Sequence, residues 1–217
     1  MTQLSIESRL FSIAAQFTGD YAPYQGVHIT PGPGGTGAIV AATDRGAALF
    51  LGFDPDGTVD EPVSLLPYDE LTRAAKGLKS GPRTLDIDTE TRLAKVITHL
   101  KTKAGKVVEL PAPAPIDAPK VFEDLRSTVA SFVRYWEANG STSETAGRFD
   151  VGLLTRMLDN AEILGDSVVL SCLTGGVLRV GIEGTNLFLL LASQTALPLP
   201  PVPAWMVSWS TGRDDED

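Results

Sequence analysis

The sequence is poor in the residues that build disulfide scaffolds and clustered metal sites. Its 217 residues include one cysteine, Cys172, and two histidines, His28 and His99. A single cysteine excludes a disulfide framework and a zinc site made of several thiolates, and it fits the reducing conditions of a cytoplasm. No run approaches the roughly 20 apolar residues that cross a bilayer, so we expect no membrane-spanning helix. The first residues lack the basic-then-apolar pattern of a secretory signal peptide.

The composition nevertheless supports a folded protein. Hydrophobic residues make up 43% of the chain and charged residues 21%, which is enough apolar side chain for a core and excludes wholesale disorder. At roughly 150 residues per domain, the length predicts one large domain or two small ones.

Hydrophobic periodicity predicts an α+β fold made of repeated strand–helix–three-strand units with antiparallel sheets and the helices on one face. The first unit has a predicted helix and three strands, at Leu4–Phe17, Gly26–Thr30, Ala38–Thr43 and Ala47–Phe53. The second has a strand, a helix and three strands, at Pro62–Leu66, Tyr68–Leu78, Leu85–Thr89, Ala94–Leu100 and Lys106–Leu110. Ser5 is the expected N-cap of the first helix.

The second half of the chain carries a third copy of the unit, which begins at Phe149, and the pattern leaves room for a shortened fourth unit around the Pro119 helix. Pro111–Pro115 reads PAPAP, which predicts an extended linker. The elements expected after it are two helices and three strands, at Pro119–Ala138, Leu153–Leu164, Ser167–Leu173, Val177–Ile182 and Leu187–Ala192, with a polar loop at Ser141–Gly147. These boundaries predict a first domain at 1–110, a linker at 111–118, a second domain at 119–197 and a proline-rich, acidic tail at 198–217.

Charge is distributed unevenly along the chain. The net charge of −9 argues against nucleic acid at first sight. Between Arg73 and Lys106, however, nine basic residues face only three acidic ones, for a local net charge of +6. The predicted Tyr68–Leu78 helix concentrates this charge, because Arg73, Lys76 and Lys79 lie opposite its apolar side. Such a helix face either neutralises phosphates or is an ordinary solvated surface.

Signs of catalysis are weak. The glycine-rich PGPGGTG at Pro31–Gly37 is not followed by Lys-Ser or Lys-Thr or by a helix, so it predicts a hairpin turn rather than a phosphate loop. Asp86 and Asp88 share one face of a predicted strand and would suit Mg²⁺, although a solvated face is the simpler interpretation. We therefore expect no catalytic residues, no cofactor and no metal, and a protein that is not an enzyme.

Several segments resemble a sliding DNA clamp, the ring-shaped processivity factor of replicative polymerases. Two of them are YQGVHITPGPGGTGAIVAATDRGAAL at Tyr24–Leu49 and VSLLPYDELTRAAKGL at Val63–Leu78. Two more are RFDVGLLTRMLDNAEILGDSVVLS at Arg148–Ser171 and GVLRVGIEGTNLFLLLAS at Gly176–Ser193. The resemblance as a whole covers about three quarters of the chain.

The resemblance implies a homo-oligomeric ring, a dimer or a trimer, whose helices line a hole around duplex DNA. By position, Arg73, Lys76 and Lys79 would face the DNA without reading its sequence, and Arg9, Arg126 and Arg156 would be further DNA-binding candidates. It also implies a polymerase and a clamp loader as partners, both bound through a hydrophobic groove.

The sequence departs from bacterial clamps at two points. Bacterial clamp chains have three domains, whereas this chain has room for two. Where many bacterial clamps have Asp-Gly-His-Arg-Leu, this chain has Asp44-Arg45-Gly46-Ala47-Ala48, so the groove's histidine and arginine are missing. The alternative function is a protein–protein interaction module with a clamp-like fold and no DNA role, which would dock through the apolar Pro198–Met206 segment.

Overall fold

The computed structural model describes residues 2–44, 49–76, 82–99, 105–139, 146–148, 151–152, 154–155, 158, 168–173, 177–182, 188–192, 195–197 and 201–212. The chain divides into two compact units. Unit 1 contains residues 1–131 and 203–217, and unit 2 contains residues 132–202. No helix among the described residues is long and apolar enough to cross a membrane.

Unit 1 opens with two series of elements, each a strand, a helix and three strands. The first series is β1 (Gln3–Glu7), α1 (Ser8–Ala14), β2 (Val27–Pro31), β3 (Ala38–Thr43) and β4 (Leu49–Asp54). The short β5 (Thr58–Val59) follows it. The second series is β6 (Val63–Leu65), α2 (Asp69–Lys76), β7 (Arg83–Asp88), β8 (Leu93–Thr98) and β9 (Val107–Pro111). Mixed helices and antiparallel sheets confirm the predicted α+β class.

The two series exchange their first strands. Sheet A has the order β5-β1-β7-β8-β9, so β1 lies beside the strands of the second series. Sheet B has the order β4-β3-β2-β6, so β6 lies beside the strands of the first. The exchanged strands are antiparallel to their neighbours, with Leu4 opposite Ile87 and Val27 opposite Leu65. The exchange therefore joins both series into one body.

One continuous core fills the space between the sheets and the helices. It contains fully buried side chains from both sheets and both helices, including Phe11, Ile29, Leu65, Leu71 and Leu85. Along each strand these residues alternate with residues on the opposite face, as the pleat requires. A core shared by both series makes unit 1 a single cooperative body.

The predicted helix at Leu4–Phe17 is wrong over its first residues. Leu4 and Ile6 are buried alternately and pair with β7, so this stretch is the strand β1. The helix α1 begins only after Glu7 and passes into a 3₁₀ turn at Ala15–Phe17. Ser5 is not its N-cap, because its Oγ donates to Asp86 Oδ1 across the sheet at 2.7 Å.

The glycine-rich segment connects β2 and β3 as a hairpin loop, as predicted. The Gly32 amide donates to the Gly37 carbonyl at 3.0 Å. Gly34, Gly35 and Gly37 have φ values of 61°, 75° and 73°, in the left-handed region that favours glycine. Glycine is therefore required here by backbone geometry.

A long helix, α3 (Pro119–Asn139), confirms the helix predicted at Pro119–Ala138. Its buried stripe runs through Val121, Leu125, Val129 and Val133. Phe132, next to Val133, is 52% exposed. The proline-rich segment before α3 lies against β6, where Leu66 N–H donates to the Ala114 carbonyl at 2.8 Å.

A last helix, α4 (Ala204–Thr211), lies within the segment predicted as a tail. Trp209 of α4 is buried, and the Trp205 ring stacks on Phe53 of β4 with centroids 5.5 Å apart. The segment has no charged side chain between 201 and 212, and it follows prolines, so local pattern alone gave no sign of it.

Sheet B is covered on both faces. Its core-facing residues include Val27 and Ile29, so their neighbour His28 points to the opposite face, as does Ile39 on β3. Both His28 and Ile39 are nonetheless fully buried. Phe122 of α3 meets the His28 ring edge-on, with centroids 5.2 Å apart. The helices α3 and α4 therefore form a second layer on sheet B.

Unit 2 contains five described strands. Three form a sheet in the order β11 (Val168–Leu173), β12 (Val177–Ile182), β13 (Phe188–Ala192), which confirms the three strands predicted there. β10 (Ala146–Arg148) pairs with β14 (Thr195–Leu197). β10 begins inside the predicted polar loop at Ser141–Gly147, so that prediction is wrong at its end. Within the predicted Leu153–Leu164 helix, residues 154, 155 and 158 are helical, and the rest lie outside the described residues.

We predict that His28 makes the stability of unit 1 depend on pH. Its Nδ1 lies 2.7 Å from Ser64 Oγ, and its Nε2 has no hydrogen-bond partner within the described ranges. Burial lowers the pKa of His28 from 6.5 to about 4. As the pH falls below 6.5, the unfolded chain takes up a proton that the folded chain does not. The free energy of unfolding should therefore fall by about 2 kcal/mol between pH 7 and pH 5.

Urea unfolding at the two pH values measures this loss. His28→Asn should remove most of it, and His99→Asn, at the other histidine, should leave it in place. If the free energy of unfolding fell equally between pH 7 and pH 5 in the wild-type and His28→Asn proteins, His28 would not be the source of the pH dependence.

Candidate nucleic-acid interface

The cations predicted on the second helix lie on its exposed side. Leu71 and Ala75 of α2 are buried in unit 1, whereas Arg73 and Lys76 are exposed. The helical period separates the two sets because residues three and four apart share a face. Lys79 lies outside the described residues. The surface formed by Arg73 and Lys76 is called here the α2 cationic face.

The helices α1 and α2 pack side by side, and a buried hydrogen bond fixes the contact. Ser8 Oγ, at the start of α1, donates to the Ala75 carbonyl near the end of α2 at 2.8 Å. The Arg83 guanidinium donates to the neighbouring Ala74 carbonyl at 2.6 Å. Both carbonyls belong to the last turn of α2, whose carbonyl groups have no N–H donors within the helix. The Ser8 bond holds the cationic end of α2 against the start of α1, and the Arg83 bond holds it against β7.

Arg9 stands at this same contact, immediately after Ser8. Its side chain is exposed and forms an ion pair with Glu7. The neighbouring carboxylate offsets the positive charge of Arg9. Sequence spacing alone could not show this, because Glu7 was predicted to lie within the helix rather than at the end of a strand.

Charge is segregated along α2. Asp69 and Glu70 occupy its first turn, and Arg73 and Lys76 occupy its last. This order complements the helix dipole, which favours acids at the N-terminus and bases at the C-terminus. Arg73 Nε also donates to the Asp69 carbonyl at 3.2 Å. The positive charge is therefore concentrated at the end of α2 that meets α1.

Arg126 is engaged in a different contact, on α3. Its Nε donates to the Trp209 carbonyl of α4 at 3.0 Å, and the guanidinium carbon lies 5.9 Å from the Trp209 ring centroid. Arg126 thus helps to hold α4 on the outer layer of sheet B and is not brought to the α1–α2 surface. Arg156 lies outside the described residues.

The outer face of sheet A carries carboxylates around a cavity of about 510 Å³. Asp60, Asp86, Asp88 and Lys95 contribute to its lining. The backbone N–H groups of Thr91 and then Glu90 hold the pKa of the Asp88 carboxyl below its ordinary value. Within the described part of the chain, no three His, Cys, Asp or Glu side chains are grouped to hold a metal ion. This face is acidic and lies opposite the core.

Two of the terminal strands of unit 1, β4 and β9, offer a sheet edge to a further strand. β4 is terminal in sheet B and β9 in sheet A. The Thr98 N–H donates to the Lys106 carbonyl, so Lys106 bonds to β8. Because alternate residues of an antiparallel strand bond to the same neighbour, the backbone groups of Val107 and Glu109 point to the free side of β9. By contrast, the outer side of β6 is closed, because Ile116 N–H donates to the Ser64 carbonyl at 2.9 Å.

The chain matches no protein-family model and no curated protein. Among solved structures it is similar to the beta subunit of DNA polymerase III from Thermotoga maritima. The identity is 12%, the TM-score is 0.39, and the match covers 83% of this chain and 46% of that one. The chain therefore spans about half the length of that subunit. This is a likeness of fold at a low score, and it assigns no activity.

We predict that Ser8 fixes the α1–α2 contact. Ser8→Ala removes the donor to a buried carbonyl, which should lower the free energy of unfolding by about 1 to 3 kcal/mol. Ser127→Ala on the exposed side of α3 is the matched control and should change it by less than about 0.5 kcal/mol. Urea titration with circular dichroism measures both. Equal stability of the two variants would show that the bond does not hold the helices.

Proposed function

We propose that this protein is a clamp-like processivity factor that encircles duplex DNA as a ring of identical copies and tethers a polymerase. It works without catalysis. DNA is retained because the ring is closed around it, so weak phosphate contacts suffice and no base is read. A clamp loader that opens the ring and the polymerase itself are the protein partners that this function requires.

The α1–α2 surface is the observation that carries the proposal. The exchange of β1 and β6 places α1 and α2 side by side on one core. Arg73 and Lys76 are exposed on the last turn of α2, which contacts α1. The carboxylates of sheet A lie on its outer face instead. A net charge of −9 is then compatible with DNA, because the acids and the α2 cationic face occupy different surfaces.

The open edges of β4 and β9 support the ring. An unpaired edge offers its backbone groups to a strand from another chain. Pro111 at the end of β9 removes one N–H from that edge, which limits how far pairing can extend. Main-chain pairing along such edges joins copies without requiring a large apolar interface.

The proposal predicts a specific loss of DNA binding when the α2 cationic face is reversed. Arg73→Glu with Lys76→Glu should weaken binding to a short duplex at low salt by about tenfold or more, and should lower the slope of log K against log salt by about 2. Fluorescence anisotropy across a salt series measures both quantities. Retention on circular DNA, and release after linearisation, reports encirclement.

The matched control reverses two cations elsewhere, the half-exposed Lys95, which is ion-paired with Glu109, and the exposed Lys120. Lys95→Glu lies on the outer face of sheet A and Lys120→Glu on α3, and the pair changes the net charge by the same amount. This variant should keep most of the affinity for the short duplex and most of the slope of log K against log salt. Equal losses in both double variants, or retention on circular DNA that linearisation does not release, would contradict the proposal.

The alternative function, an interaction module without a DNA role, depends on the Pro198–Met206 segment. In unit 1 the Trp205 ring of this segment is stacked on Phe53, so a partner would have to displace it. Deletion of Ala196–Asp217 separates the two functions. Loss of a partner protein on deletion, in a chain that never binds DNA, would favour the interaction module.

A further inference from the structure

Unit 2 has the element order and pairing of only the first series of unit 1. β10 precedes helical residues between 151 and 158, then come β11, β12 and β13, and β14 returns to pair with β10. In the first series β1 precedes α1, then come β2, β3 and β4, and β5 returns to pair with β1. β10 thus corresponds to β1, β11 to β2 and β14 to β5.

In unit 1 the second series completes the first at two places. β7 occupies the side of β1 that β5 leaves open, and β6 occupies the side of β2 that β3 leaves open. As a result β2 is a central strand, and its Val27, His28 and Ile29 are fully buried. These two strand pairings form the seam between the series.

Both sides of that seam are open among the described strands of unit 2. Among its described strands, β10 has only β14 as a neighbour and β11 has only β12. Val169 and Leu170, which point to opposite faces of β11, are 61% and 56% exposed. The strand reads VVLSCL, with none of the charges, prolines or glycines that protect natural edge strands. An apolar strand exposed on both faces lacks the neighbours that its counterpart in unit 1 has.

A second copy of this chain supplies both missing strands at once. The exchange in unit 1 is reciprocal, because each series gives its first strand to the other. Unit 2 offers one strand to give, β10, and one edge to receive it, β11. Two copies related by a twofold axis therefore satisfy both edges in an isologous contact.

We infer that two copies join through unit 2, with β10 of each chain paired antiparallel to β11 of the other. The assembled pair then contains one complete double series shared between the chains. Val169 and Leu170 become buried in it, as Val27 and His28 are buried in unit 1. This inference goes beyond the proposed function, because the seam forms or fails whether or not the protein binds DNA.

Native mass spectrometry and light scattering on the full chain test it first. The expected species has twice the monomer mass of 23.0 kDa, or a multiple of that pair. Hydrogen exchange at rising protein concentration should protect the backbone of 146–148 and 168–173 together. A monomer at high micromolar concentration, a trimer, or protection of only one of the two strands would overturn the inference.

Substitutions at the seam supply the second test. Val169→Lys with Leu170→Lys places charges in the apolar seam, while both side chains are exposed in the single chain. The dimer dissociation constant should rise about 100-fold or more. Leu66→Lys, at a 39% exposed leucine of unit 1, is the matched control and should leave it unchanged. Equal dissociation constants for the wild-type and seam variants would overturn the inference.

The two proposals fail separately. If the chain dimerises through these strands but is not retained on circular DNA, the dimer inference stands and the proposed function fails. If a ring is retained on DNA while the backbone of 146–148 and 168–173 stays unprotected from hydrogen exchange, the proposed function stands and the dimer inference fails.

Discussion

The exchange of first strands between two series of elements is the constraint on which unit 1 depends. β1 lies in the sheet of the second series and β6 in the sheet of the first, so each series needs a strand of the other to complete its sheet. The backbone groups of these strands need partners once they are buried. Satisfying them across the seam brings α1 and α2 together, and the Ser8 bond to Ala75 follows from that placement. The same requirement explains why β11 of unit 2, which has no such neighbour among the described strands, exposes Val169 and Leu170.

Net charge is a poor guide to the surfaces of this protein. The chain is acidic overall, yet the carboxylates of Asp60, Asp86 and Asp88 gather on the outer face of sheet A, and the cations of α2 gather where it meets α1. The dipole of α2 favours this order, since its acids stand at the N-terminus and its bases at the C-terminus. The same arrangement of charges therefore stabilises α2 and produces the surface for which we propose phosphate contacts.

Much of the fold could be predicted from local patterns. β3 has the predicted bounds, α3 differs by one residue at its end, and the hairpin at Gly32–Gly37 was evident from its glycines. β1 could not be predicted, because Ile6, Leu10 and Ile13 satisfy the helical period as well, and only pairing with a strand about 80 residues away decides between them. α4 was missed for a similar reason, since its stability comes from Phe53 and Arg126, which are distant in sequence.

The candidate site divides in the same way. The exposure of Arg73 and Lys76 follows from helical periodicity, which a sequence displays. The pairing of Arg9 with Glu7 and the engagement of Arg126 with Trp209 depend on where β1 ends and where α4 packs. Those positions are set by tertiary contacts, which residue type and spacing do not display.

The shape of the assembled particle tests the central claim most directly. Electron microscopy of the purified protein, at a resolution that places helices, should show a closed ring whose hole admits a DNA duplex, with α1 and α2 lining it and the outer face of sheet A pointing away. A particle without a hole, or a ring with α1 and α2 on its outside, would contradict the account.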